Sequence, residues 1–231
     1  MSNPLLDCQA LPRFAEIRPE HALPALTETI AEHRRRLARL LDDPEARDFE
    51  SFVVPLEEMH HELARIWSPV GHLHAVLEDP AWREAYNDCL PLLTEHGTEL
   101  AQNKALQQVF EDLSRSLPPG APEAQRTLVE KALRDFRLGG VALPESEKAA
   151  FREAMQELAA VQAKFEQNLQ DATDSWSFRT DDEALLRGLP EQTVERARAD
   201  AARRGESGWR LSLDYPTWQA VITHADAREL R

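Results

Sequence analysis

Residues 144–176 read PESEKAAFREAMQELAAVQAKFEQNLQDATDSW. Within this stretch Phe151, Met155, Leu158, Gln162, Phe165, Leu169, Ala172 and Trp176 recur at alternating steps of four and three. That alternation lines them along one stripe of an α-helix with a single polar interruption, and it predicts a packing seam. Leu143-Pro144-Glu145 supplies the start, with Pro at the first helical position and acid in the first turn. At 1.5 Å per residue such a helix is about 48 Å long, which suits a long bundle.

Working outward, the same alternation appears in Phe52, Leu56, Met59, Leu63, Ile66, Val70, Leu73 and Leu77. Pro69 lies inside this second seam and should kink or break it, because it removes a backbone donor and crowds the preceding turn. A further helix is expected from about 19 to 41, with Leu23, Leu26, Ile30, Leu37 and Leu40 on its apolar face. Asp79-Pro80 opens another as N-cap and first residue, and the segment 80–116 divides near Gln102-Asn103. Gly139-Gly140 ends a helix over about 122–138 in a left-handed cap. After Trp176 the pattern changes: residues 176–180 and 209–213 alternate apolar with polar and read as short strands that could pair. Thr180-Asp181-Asp182-Glu183 reads as a capping box, residues 190–204 as a helix, and the chain returns to helix from Tyr215-Pro216 through Arg231. The expected fold is mainly α: long antiparallel helices in a bundle-like array, with a small two-stranded β element near the C-terminal end. Residues 1–175 form the helical domain and 176–231 the small mixed element.

The 231 residues carry 27 Lys and Arg against 41 Asp and Glu, a formal charge of −14. Nucleic-acid binding draws on cations that neutralise phosphates, and anionic membrane surfaces attract the same cations, so this balance excludes both partner classes. No run of apolar residues is long enough to span a bilayer, and the first residues lack the basic-then-apolar pattern of a secretory signal. Cys8 and Cys89 stand far apart without a CxxC pair, which predicts free thiols in a reducing cytoplasm.

Histidine is the residue type most able to hide a site here. His60-His61-Glu62-Leu63-Ala64-Arg65 approaches the His-Glu-x-x-His zinc motif, in which two imidazoles one helical turn apart share a metal. The fifth position is Arg65, whose guanidinium has no lone pair to donate. His72 and His74 lie about 16–21 Å further along an unbroken helix, outside any coordination sphere. His33 falls in seam register and reads as a hydrogen-bonded core histidine. Cys89, beside Leu90 and Leu93, reads as buried, and the tryptophans at 67, 82, 176, 209 and 218 as packing anchors. The chain has no GxSxG elbow, no GxxxxGK[ST] loop and no GxGxxG. No catalytic, cofactor-binding or metal-ligating residue is assigned.

Several stretches nonetheless form a pattern in order: Leu11-Pro12-Arg13-Phe14, Ile17-Arg18-Pro19-Glu20-His21-Ala22-Leu23-Pro24, Trp67-Ser68-Pro69-Val70-Gly71-His72, Asp135-Phe136-Arg137-Leu138-Gly139-Gly140, Phe165-Glu166-Gln167-Asn168-Leu169 and Leu213-Asp214-Tyr215-Pro216. Together they resemble the N-terminal region of the thimet-type zinc oligopeptidases, most closely its bacterial members. The resemblance implies a cytoplasmic zinc metallopeptidase that cuts short peptides, with its His-Glu-x-x-His motif and zinc in a C-terminal half that this sequence does not contain. The part present would form one wall of a deep channel admitting unstructured peptides, and would be inactive alone. Apolar residues that meet the other wall would then be exposed, favouring self-association. The alternative is a free-standing helical interaction protein without catalysis.

Overall fold

The computed structural model describes residues 3–7, 11–77 and 79–231, and Cys8 lies outside them. Eight α-helices and one two-stranded sheet follow in order among the described residues: α1 (Ala22–Asp42), α2 (Val54–Leu77), α3 (Pro80–Ala101), α4 (Lys104–Ser116), α5 (Glu123–Leu138), α6 (Glu145–Ser175), β1 (Ser177–Thr180), α7 (Glu191–Arg203), β2 (Trp209–Ser212) and α8 (Tyr215–His224). The mainly helical class and the small C-terminal β element stand as expected. The chain divides into two compact units, the first running to Val161 and the second from Gln162 to Arg231, so the division falls inside α6.

Side-chain caps set the helix starts. The carboxylate of Asp79 accepts from the Ala81 amide, and Asn103 accepts from Leu106, which closes α3 and opens α4 around Gln102-Asn103. Gly139 ends α5 in right-handed geometry, and Gly140, at φ +80°, makes the left-handed turn that carries the chain toward α6. α2 runs unbroken through Pro69, contrary to a break there. Pro69 is buried beside Val70 and Ile66, and packing on this face holds the helix across the missing donor. Phe52 belongs not to α2 but to a wide π-helical turn, Phe49–Val53, capped by Asp48.

The first unit has two apolar centres. In one, α1, α2 and α3 pack together around Leu26, Ile66, Val70, Trp82 and Cys89, with Leu5 and Ile17 from the N-terminal segment. Asn3 anchors that segment by donating to the His21 carbonyl at 2.8 Å while accepting from the Leu5 amide. In the other, Phe52, Leu56, Leu106, Phe110, Val129 and Phe136 converge, with the Phe110 ring 6.3 Å from Phe52 edge-on and 5.7 Å from Phe136.

In the second unit β1 and β2 pair antiparallel, with Phe178 opposite Leu211 and Thr180 opposite Trp209. Arg179 and Arg210 also face each other, an unfavourable pair taken separately. Each finds acid or hydroxyl elsewhere: Arg179 donates to Asp181 and Ser207, Arg210 to Asp200 and Ser177. Trp209, Leu211, Leu186, Ala197 and Val221 make the core, and the Arg198 guanidinium sits 5.2 Å from the Trp209 ring centre. The cap of the short 3-10 turn Glu183–Leu186 is Asp182, while Thr180 accepts from the Asp182 amide. α8 stops at His224 instead of continuing to Arg231: Ala225 turns extended, is buried in the core, and is followed by an Asp226 amide that donates to the Arg187 carbonyl at 2.9 Å.

Candidate functional site

The one near-motif for a metal, on α2, is taken apart by its surroundings. Glu62 points toward α1, where its Oε2 accepts from Arg36 at 2.6 Å and lies 3.2 Å from His33 Nε2. His60 is 3.2 Å from Glu57 on its own helix, and His61 faces a different cavity together with Arg65. The carboxylate is thus spent on helix-to-helix pairing, and the two imidazoles do not converge. Among the described residues no group of three His, Cys, Asp or Glu side chains is arranged to hold a metal ion. The residues present do not fit a zinc site. His72 packs edge-on against Phe14 at 5.4 Å, and His74 stacks on Tyr86 at 4.2 Å, so both serve packing.

What the structure does bring together is a buried polar junction of α1, α2 and α3. His33 and His96 are each 4% exposed and their rings lie 6.2 Å apart. Burial lowers the affinity of His33 for a proton, against the opposing pull of Glu62. His96 is pushed down to about 4, again chiefly by burial, with the nearby His33 and Arg34 adding to the effect. Its Nδ1 is buried without a hydrogen-bond partner among the described residues. Arg34 and Glu99 pair at 2.7 Å at the rim. His33 was legible as a core histidine; His96 was not singled out, although Cys89, Leu92 and His96 follow the three-and-four spacing of a buried face. Burial likewise pushes the Cys89 thiol up to about 11, leaving no thiolate for nucleophilic use.

Two cavities open on the first unit. One, of about 660 Å³, lies between the N-terminal segment and α2 and is lined by Leu5, Phe14, Ile17, His61 and His72. The other, of about 820 Å³, runs among α2 to α5 over Leu56, Leu106, Phe110 and Phe136, with Glu57, His60, Glu123, Lys131 and Asp135 at its rim.

The seam expected on α6 is uncovered. Leu158, Val161, Phe165, Leu169 and Trp176 are 47%, 57%, 66%, 59% and 48% exposed. On α8, Tyr215, Trp218 and Ile222 are also exposed, so of the five tryptophans Trp176 and Trp218 are not packing anchors here. No helix among the described residues is long and apolar enough to cross a membrane.

Residues 26–148 match the family model described as the N-terminal domain of neurolysin and thimet oligopeptidase. Over the whole chain, the sequence is 38% identical to oligopeptidase A of Haemophilus influenzae and 36% identical to the oligopeptidases A of Salmonella typhimurium and Escherichia coli. In each case the match covers 100% of this chain and 34% of the relative, so the chain spans about a third of the length of the curated relatives it matches.

Proposed function

Because the chain belongs to the neurolysin and thimet oligopeptidase family through its N-terminal domain, we propose that it is the channel-forming part of an oligopeptidase A-like zinc metallopeptidase that hydrolyses short peptides in the cytoplasm. The observation that carries this reading is the unbroken similarity over the whole chain to proteins named for oligopeptide cleavage, of which it covers only 34%. Zinc, its ligands and the catalytic base belong, in this proposal, to polypeptide outside these 231 residues. The task of the part present is to restrict access by size, with long helices as a wall; the free thiol of Cys89 accords with a reducing compartment.

Two measurements test the proposal. Assayed with a short fluorogenic peptide and added zinc, this chain shows no turnover; cleavage abolished by a chelator would overturn the assignment of catalysis to sequence outside it. The gene supplies the second test. A reading frame that continues past Arg231 into a His-Glu-x-x-His motif supports the peptidase, whereas a stop codon there supports a helical interaction protein.

A further inference from the structure

Polar groups gather where α3 hands over to α4, beside the start of α6 and inside the first unit. Glu145, Lys148 and Arg152 stand at i, i+3 and i+7 and so share one face of α6. Arg152 donates to Gln102 Oε1 at 3.2 Å, which sets that face against the α3–α4 junction. Gln102 is 8% exposed, and its Nε2 is buried without a hydrogen-bond partner among the described residues. The amide points into the turn that leads to α6, since a Cβ built on Gly140 would stand 3.7 Å from Nε2. Lys148 is 5% exposed and donates to Glu145 Oε1 at 2.9 Å, its only side-chain hydrogen bond among the described residues. That bond holds the Glu145 carboxyl below its ordinary range, and Lys104, the first residue of α4, and Arg152 act on it in the same sense. Lys104, Lys148, Arg152 and the positive ends of two helices thus converge on one carboxylate, in a chain whose total charge is −14.

Donors here exceed acceptors. Glu145 leaves Gln102 Nε2 and most of the ammonium donors unused. An unmodified polypeptide offers only carboxylates as anions, and one is already in place. A tetrahedral dianion brings more charge and more acceptor oxygens. We propose that this junction binds a small phosphate dianion, free or as the monoester of a small metabolite, held by Lys104, Lys148, Arg152 and the Gln102 amide. Glu145 swings outward to admit it, a movement open to a side chain that is 79% exposed.

Isothermal titration calorimetry of the intact 231-residue chain tests the proposal, at constant ionic strength and about pH 8, where phosphate is dianionic. Inorganic phosphate binds with a Kd on the order of 1 mM, and acetate binds at least about tenfold more weakly. Glycerol phosphate separates the two sources: binding as tight as that of the free ion assigns the site to monoesters, and exclusion assigns it to the free ion. Lys104→Gln and Arg152→Gln, both at exposed positions, each weaken phosphate binding by about three- to tenfold with helicity by circular dichroism unchanged. Glu145→Gln removes the competing carboxylate and tightens binding by about two- to fivefold. A chain that takes up no phosphate overturns the proposal. So does binding that acetate matches, that Lys104→Gln and Arg152→Gln leave intact, or that Glu145→Gln fails to tighten.

Discussion

Mild acid should destabilise the helical unit through His96, and the buried junction of α1, α2 and α3 sets both the size and the pH window. In the unfolded chain His96 takes up a proton near its ordinary value of 6.5, whereas in the folded protein burial holds that event down to about 4. Between those values the unfolded state binds more protons, so stability falls as pH falls, and the loss is complete below about 4. At about 1.4 kcal/mol per pH unit the gap amounts to about 3 kcal/mol, a large share of a typical domain's stability. His33, displaced in the same direction, adds to the loss. Asp200, held low by its hydrogen bond from Arg203, contributes stability that is lost only below its ordinary 3.8, while Glu32 and Glu145, held low by hydrogen bonds from Arg35 and Lys148, begin to lose theirs at about 4.5, to the same extent with or without His96. The assay is urea unfolding followed by helicity at a series of pH values, on the wild type and on His96→Leu, which removes the proton site together with the unpartnered buried Nδ1. The variant should show a decline between pH 6.5 and 4 that is smaller by about 3 kcal/mol than that of the wild type. An equal decline in both would refute the reasoning.

Gly208 sits at φ +75°, and a Cβ there would fall on the Thr180 carbonyl and the Asp181 carboxylate at the end of the β pair. Gly208→Ala should therefore cost the second unit about 2 kcal/mol or more, measured by thermal unfolding; a change below about 0.5 kcal/mol would contradict the strained geometry. Cys89 should react with a thiol reagent at least about 100-fold more slowly in the native protein than in urea, read in a Cys8→Ser background so that one thiol is counted. Native reactivity close to the denatured rate would show that the site is open.

The helices were legible because their causes are local. Asp79 before Pro80, Asn103 before Lys104 and the left-handed Gly140 each satisfy or redirect backbone groups within a turn, and the sequence carries those signals directly. The four-and-three spacing identified which face of α2 is buried, and the seam register of α1 likewise placed His33 inside. Periodicity does not say what lies opposite a stripe, which is why the seam on α6, identical in pattern to that on α2, turns out bare. The early end of α8 was invisible for a related reason. No residue near His224 forbids helix, and the stop comes from burial of Ala225 and a bond to Arg187, a partner distant in sequence. Of the candidate site, the failure of the zinc motif at Arg65 was readable from one atom type. The use of Glu62 by α1 depends on the interhelical approach.

The β1–β2 ribbon also bears on how the chain is made. Among the described residues β1 has its only strand partner in Trp209–Ser212, which follows after the turn, α7 and its loop. At roughly 5–20 residues per second, the roughly thirty residues between them take about 2–6 s to synthesise. Throughout that interval Phe178 and the free edge of β1 emerge from the ribosome unpaired, while the helices of the first unit, complete within earlier sequence, can already close on local contacts. Of the two units the second is therefore protected later during synthesis, and its exposed strand is where a nascent-chain chaperone would have something to hold.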